Sequence, residues 1–199
     1  MIFDRKQNAC VKELPEGYAE SFVIDMQRNK KELLLVNGAA IAVFVILFII
    51  GNFIVPVRDV FNGEIFSLLL KVGVMIAAYI AYIILHELVH GLFMRFYGST
   101  TVKFGFTGLY AFAASSEYYG RDPYIVITLA PVVIWGVVLA VICALVPSSW
   151  FWVVYFILAG NFAGAAGDAY VTFRLARSPK TLLITDSGTA MKAYDKTEE

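Results

Sequence analysis

The chain has 199 residues, 59% of them apolar and only 16% charged, with a mean hydropathy of +0.71. Soluble domains run at roughly 45–50% apolar and about 25% charged, so this composition excludes an ordinary soluble globule. The 16 basic and 16 acidic residues cancel, which leaves no basic surplus for a phosphate backbone and excludes nucleic acid as an expected partner.

Residues 1–35 read as a polar, mixed-charge arm, without the short basic stretch and following apolar run of a cleavable signal. Four apolar stretches follow at Val36–Val55, Ile65–Met94, Tyr124–Val146 and Trp150–Phe173. Each supplies the roughly 20 residues that a helix needs to cross about 30 Å of hydrocarbon. Val55-Pro56 closes the first, because proline disfavours helix in the residue before it. Pro147-Ser148-Ser149 is a turn so short that the third and fourth spans form an antiparallel hairpin. In the second loop, Arg95–Pro123, the stretch Thr101–Phe112 alternates β-formers with small and polar residues around Gly105 and Gly108. It reads as short strands near the membrane face, buried in protein or lining a wet cavity, because lipid cannot satisfy a strand edge. Residues 174–199 read as a tail whose one apolar cluster is Leu182–Ile184. The expected fold is therefore all-α and membrane-integral: four transmembrane helices over residues 36–173, with a short β-like segment between helices two and three.

Lys and Arg number six before the first span, one (Arg58) in the first loop, three (Arg95, Lys103, Arg121) in the second, none in the third and five after the fourth. The positive-inside rule then puts both termini and the second loop in the cytoplasm of a multi-pass protein of the cell membrane. Lys71, near the outer end of span two, can snorkel to the headgroups. Cys10 in the arm and Cys143 within a span do not make a disulfide framework.

Span two contains His86-Glu87-Leu88-Val89-His90, and these are the 2 histidines of the chain. On a helix, positions i and i+4 lie one above the other, so both imidazoles can reach one Zn2+ while Glu87 stands beside them to hold a water. Ionisable groups in hydrocarbon cost about 2.5–3.5 kcal/mol each, so three polar groups within five residues need compensation. The alternative is a pair of histidines at headgroup level, with Glu87 paired to Arg95 or Arg121.

A catalytic zinc usually takes three protein ligands and a water. Asp168, the acidic residue of span four, is the candidate third ligand; pairing with Arg174 is its other reading. Asn161, Gly164 and Asp168 are spaced i, i+3, i+7 and share one face of a continuous helix, while Gly160, Ala163, Gly164 and Gly167 let another helix approach. Asn161 either hydrogen-bonds across helices or holds substrate or orients a ligand. At 1.5 Å per residue, His86 and His90 lie about 8–14 Å from Arg95 and Asp168 about 9 Å from Arg174, a shared depth on the inner side. Ser115, Ser116, Glu117, Tyr118 and Tyr119 either line the entrance to that depth or form an aromatic belt.

A membrane-embedded H-E-x-x-H, a β-like segment after it, and an Asn followed by an Asp on a later helix resemble the site-2 protease group of intramembrane zinc metalloproteases. Over residues 65–185 the chain is more closely similar to small bacterial membrane proteins described as zincin peptidases. The resemblance implies zinc ligands at His86, His90 and Asp168 and a catalytic glutamate at Glu87. It departs from the site-2 pattern in three places: Gly164 stands where a proline is usual, the Asn-to-Asp spacing is one residue shorter, and Ala169 follows Asp168. The function expected is zinc-dependent hydrolysis of peptide bonds in a membrane-associated protein or peptide, in contact with the lipid bilayer. The alternative is a non-catalytic metal-binding scaffold that holds membrane clients.

Overall fold

The computed structural model describes residues 9–26, 28–61, 64–108 and 110–197. Strands β1 (Cys10–Val11) and β2 (Tyr18–Ile24) precede helix α1 (Lys30–Ile54). Helix α1 begins well before its apolar run because the Asn29 side-chain oxygen accepts the N–H groups of Lys31 and Glu32 at 3.2 and 3.4 Å, an N-cap for otherwise unpaired donors. Helix α2 (Ile65–Phe96) leads into β3 (Lys103–Phe106) and β4 (Ala111–Gly120), then α3 (Arg121–Leu145). A 3-10 turn at Ser148–Trp150 opens α4 (Phe151–Gly164), which is followed by α5 (Ala166–Ala176), β5 (Leu183–Asp186) and β6 (Met191–Lys196).

Among the described residues, four stretches are long and apolar enough to cross a membrane: Lys30–Ile54, Ile65–Phe96, Arg121–Leu145 and Ser148–Ala176. The all-α expectation is nevertheless wrong. The structure adds a six-stranded sheet in the order β1-β4-β5-β6-β2, with β3 also on β4, every pair antiparallel. The β-like loop segment supplies only β3 and β4; the others come from the stretches read as arm and tail. Their alternation is real but short. Met191 and Ala193 are buried with Lys192 exposed between them, a period of two spread over too few residues to stand out against the charges around it.

A second correction concerns span four. The helix is interrupted at Ala165, whose φ of −76° and ψ of 9° turn the chain between α4 and α5. The i, i+3, i+7 face therefore does not run unbroken from Asn161 to Asp168.

The chain divides into two compact units. One comprises Met1–Leu34, Glu87–Pro131 and Asp168–Glu199, the other Leu35–His86 and Val132–Gly167. In the first, the sheet closes over a core of Met94, Tyr119, Tyr124, Ile127, Leu175, Leu182 and Ile184. In the second, Tyr82, Leu139 and Ile157 pack with Tyr79 and Trp135. Close helix contact there depends on glycine: a methyl group at Gly51 would stand 2.3 Å from the Tyr155 ring, and one at Gly160 would stand 2.6 Å from Tyr79. Gly164 faces open space instead, so it is not the close-approach position its spacing suggested.

Candidate metal centre

Helix α2 runs unbroken through His86, Glu87 and His90, so the helix alone sets the two imidazoles one turn apart. In the sheet-bearing unit, Asp168, in the first turn of α5, places Oδ2 3.7 Å from His90 Nε2. With His86 one turn back along α2, one ligand atom from each of His86, His90 and Asp168 lies within 4.8 Å of the others. Bond lengths of about 2.0–2.2 Å separate tetrahedral N and O ligands by about 3.4 Å. The group thus needs a contraction on the order of 1 Å at its longest edge, within the reach of side-chain rotation.

The outer nitrogens supply a stricter test of fit. A histidine that binds zinc commonly gives its other ring N–H to an oxygen, which fixes the tautomer. His90 Nδ1 lies 2.9 Å from the backbone carbonyl of Ile127 on α3, an acceptor only, so Nδ1 carries the proton and Nε2 is left toward Asp168. His86 Nδ1 lies 3.0 Å from the Tyr82 hydroxyl. That hydroxyl donates to Asn161 Oδ1 at 2.9 Å and is thereby an acceptor for His86. Asn161, fully buried, is anchored by donating from Nδ2 to the Val132 carbonyl at 3.0 Å. Both imidazoles therefore have Nδ1 on a protein oxygen, with His90 Nε2 facing Asp168, and two imidazoles with one carboxylate form a donor set suited to zinc.

Glu87 is half-buried beside His86 and within electrostatic reach of His90. The structure thus brings His86, Glu87, His90 and Asp168 together and hydrogen-bonds Asn161 to the Tyr82 hydroxyl that meets His86. Gly164 stands beside open space. Sequence reasoning missed Tyr82, although it lies four residues before His86 on the same helix face and could have been read from that spacing. It also missed Tyr124 and Asp186. The Tyr124 hydroxyl donates to Asp186 Oδ2 at 2.5 Å, and Asp186 Oδ1 accepts the Gly188 N–H at 2.7 Å. Burial pushes the Asp186 carboxyl up, while those two donors and His90 pull it down, with a net rise.

Ser115, Glu117 and Tyr119 point into the core of the sheet-bearing unit and are at most 3% exposed, so they do not line an entrance. Glu117 accepts the Thr100 N–H at 2.9 Å and the Thr100 hydroxyl at 2.8 Å. Burial raises its carboxyl, but these donors and Ser99 outweigh it and hold Glu117 below the usual carboxylate range. Burial and the adjacent Glu117 push the Cys10 thiol up to about 12, which makes it an inert packing group.

A model of the family described as "Putative zincin peptidase" matches residues 79–183. The chain belongs to that family, whose description implies a metallopeptidase with zinc as its metal. No curated protein and no solved structure matches the chain significantly. The matched stretch holds the metal group, Glu87, Tyr82, Tyr124 and Asn161, while Asp186 lies just beyond it.

Proposed function

We propose that this protein is a membrane-integral zinc endopeptidase that cleaves membrane-associated proteins or peptides at a centre formed by His86, His90 and Asp168. The observation that carries the reading is the grouping of one ligand atom each from His86, His90 and Asp168 within 4.8 Å, beside two Nδ1 atoms that protein oxygens hold. Bound zinc supplies Lewis acidity, lowering the pKa of water toward 7 and polarising the scissile carbonyl. Glu87 accepts the proton of the attacking water and delivers it to the departing amine nitrogen. Asp168 stays ionised as a ligand. Asn161 and Tyr82 hold His86 in its tautomer, and the Ile127 carbonyl does so for His90.

Likeness to the site-2 protease group adds the expectation of a substrate drawn from the membrane. A helical substrate hides its peptide bonds, so it must be extended to react. Strand β3 pairs with β4 on one side, and its other edge, beside exposed Phe104 and Phe106, suits pairing with an extended apolar segment. The termini and the second loop face the cytoplasm by charge, and the sheet joins strands from all three.

The test is metal content and proteolysis of the detergent-purified protein. Wild type should hold about one zinc per chain, lost in His86→Ala and Asp168→Ala. Glu87→Gln should keep the zinc and lose cleavage of a membrane-protein substrate by at least 100-fold, on the scale general-base catalysis contributes. Zinc-free wild type would overturn the metal centre. Full cleavage by Glu87→Gln would overturn the general base, and zinc binding without cleavage by any form would favour the scaffold.

A further inference from the structure

The C-terminal hairpin β5–β6 carries a carboxylate for which the proposed reaction has no role. Asp186 ends β5, and both of its oxygens are engaged, one by the Tyr124 hydroxyl at 2.5 Å and the other by the Gly188 N–H at 2.7 Å. Gly188 sits at a φ of +83° in the turn between β5 and β6, a left-handed conformation that glycine adopts without strain. The turn thus aims an N–H at the carboxylate. Tyr124 is fully packed, 4% exposed, and stands on α3 one turn before Ile127, whose carbonyl holds His90 Nδ1. One turn of α3 therefore carries both the acceptor for a metal-ligand histidine and the donor to Asp186. The charge of Asp186 reaches His90 and Asp168, and Tyr124 also feels Asp168.

We infer that Asp186 is an outer carboxylate of the metal centre, a positioning residue that Tyr124 fixes in place and whose negative charge strengthens cation binding by His90 and Asp168. The hairpin is then part of the metal centre and not a tail. The inference rests on the metal-centre reading of the proposed function. A further negative charge close to a cation favours its binding, and partners outside the ligand shell are worth about 10- to 100-fold in metal affinity. A plain structural clamp between α3 and the hairpin would instead stabilise the fold with or without metal.

The experiment measures zinc affinity, by competition with a chromophoric chelator, and the melting temperature of the zinc-free protein. It compares wild type with Asp186→Asn, Asp186→Glu and Tyr124→Phe. Asp186→Asn removes the charge while keeping the shape and an acceptor; its zinc Kd should rise at least 10-fold, more than its zinc-free melting temperature accounts for. Asp186→Glu, which restores the charge, should recover part of that affinity. Tyr124→Phe, which frees the carboxylate but leaves its charge, should shift the Kd in the same direction by less, and it serves as the reading if Asp186→Asn does not fold. Unchanged zinc affinity with a lowered zinc-free melting temperature would overturn the inference and leave Asp186 a clamp. Wild type that binds no zinc would overturn the metal centre itself, a different result from the first.

Discussion

Tyr82→Phe is the sharpest probe of how the histidines are held, because it removes one oxygen and little volume. The phenol accepts from His86 Nδ1 and donates to the buried Asn161 Oδ1, so its loss breaks two hydrogen bonds and takes a partner from a buried oxygen and a half-buried ring nitrogen. An orphaned buried acceptor costs about 1–3 kcal/mol in proteins generally. Side-chain bonds between membrane helices average only about 0.6 kcal/mol and reach about 1.7, since the unfolded state in the bilayer finds partners too. A stability loss of about 1 kcal/mol follows. The metal should feel it more. With Nδ1 released, His86 can turn or exchange tautomer, and losing such a partner weakens metal binding about 10- to 100-fold, or about 1.4–2.8 kcal/mol. Asn161→Ala should act in the same direction but less strongly, because it reaches His86 only through the phenol. A double-mutant cycle on zinc Kd checks this: once Tyr82 is Phe, removing Asn161 should change the affinity little, a coupling of at least about 0.5 kcal/mol. Strict additivity, or an unchanged Kd in Tyr82→Phe, would refute the relay from Asn161 to His86.

Gly51→Ala should destabilise the helical unit by about 1–3 kcal/mol. The added methyl would lie 2.3 Å from a Tyr155 ring that is pinned by its hydroxyl to the Leu47 carbonyl and stacked on Phe151. Gly73→Ala, with nothing within 4 Å, should instead raise the melting temperature through helix propensity worth about 0.8–1 kcal/mol. For Glu117→Gln, the wild-type advantage should be largest well above the reference carboxylate pKa of 4.5 and vanish as the pH falls, because the folded-state pKa is depressed. Urea titrations from pH 7 to 3 measure it, and a difference independent of pH would contradict the reading. With Cys10 and Cys143 replaced by Ser, a thiol reagent confined to one face of the membrane should label Arg58→Cys from the side opposite to that which labels Lys192→Cys. Labelling of both from one side would overturn the topology.

What was legible in the sequence follows the length over which each physical signal repeats. Twenty apolar residues in a row are unmistakable, so all four helical stretches were read, and His86, Glu87 and His90 were found because one helical turn brings them together. The strands were missed in Tyr18–Ile24, Leu183–Asp186 and Met191–Lys196 because each is only 4–7 residues long. The last two pair with each other as a local hairpin, Asp186 opposite Met191, but the other pairings join distant parts of the chain: Tyr18 pairs with Lys196 and Cys10 with Tyr119. No local period reports such a pairing. The break at Ala165 was passed over because alanine is the best of helix formers and the flanking Gly164 and Gly167, which can mark a helix end, were read as close-approach positions. Asp186 could not be connected to the metal centre from sequence at all. Its link runs through Tyr124, 62 residues earlier.

The sheet nevertheless constrains the membrane topology in a way that the charge count alone cannot. Strand β2 before α1 pairs with β6 after α5, β1 before α1 pairs with β4 between α2 and α3, and β4 pairs with β5. Backbone hydrogen bonds cannot be made through a bilayer, and lipid cannot satisfy the strand edges left behind. In a chain whose four apolar stretches cross a bilayer, the arm, the second loop and the C-terminal hairpin would then lie on one side, with an even number of crossings between each pair of them. Two helices, α1 and α2, separate β2 from β3, and two crossings, α3 and the α4–α5 run, separate β4 from β5. That parity agrees with the 14 basic residues that the arm, second loop and tail hold between them. It also bears on the chemistry. His90 and Asp168 come from the parts of α2 and of the α4–α5 run that belong to the sheet-bearing unit. The proposed peptide hydrolysis consumes water, and in that topology these helix ends would be the ones nearest to it.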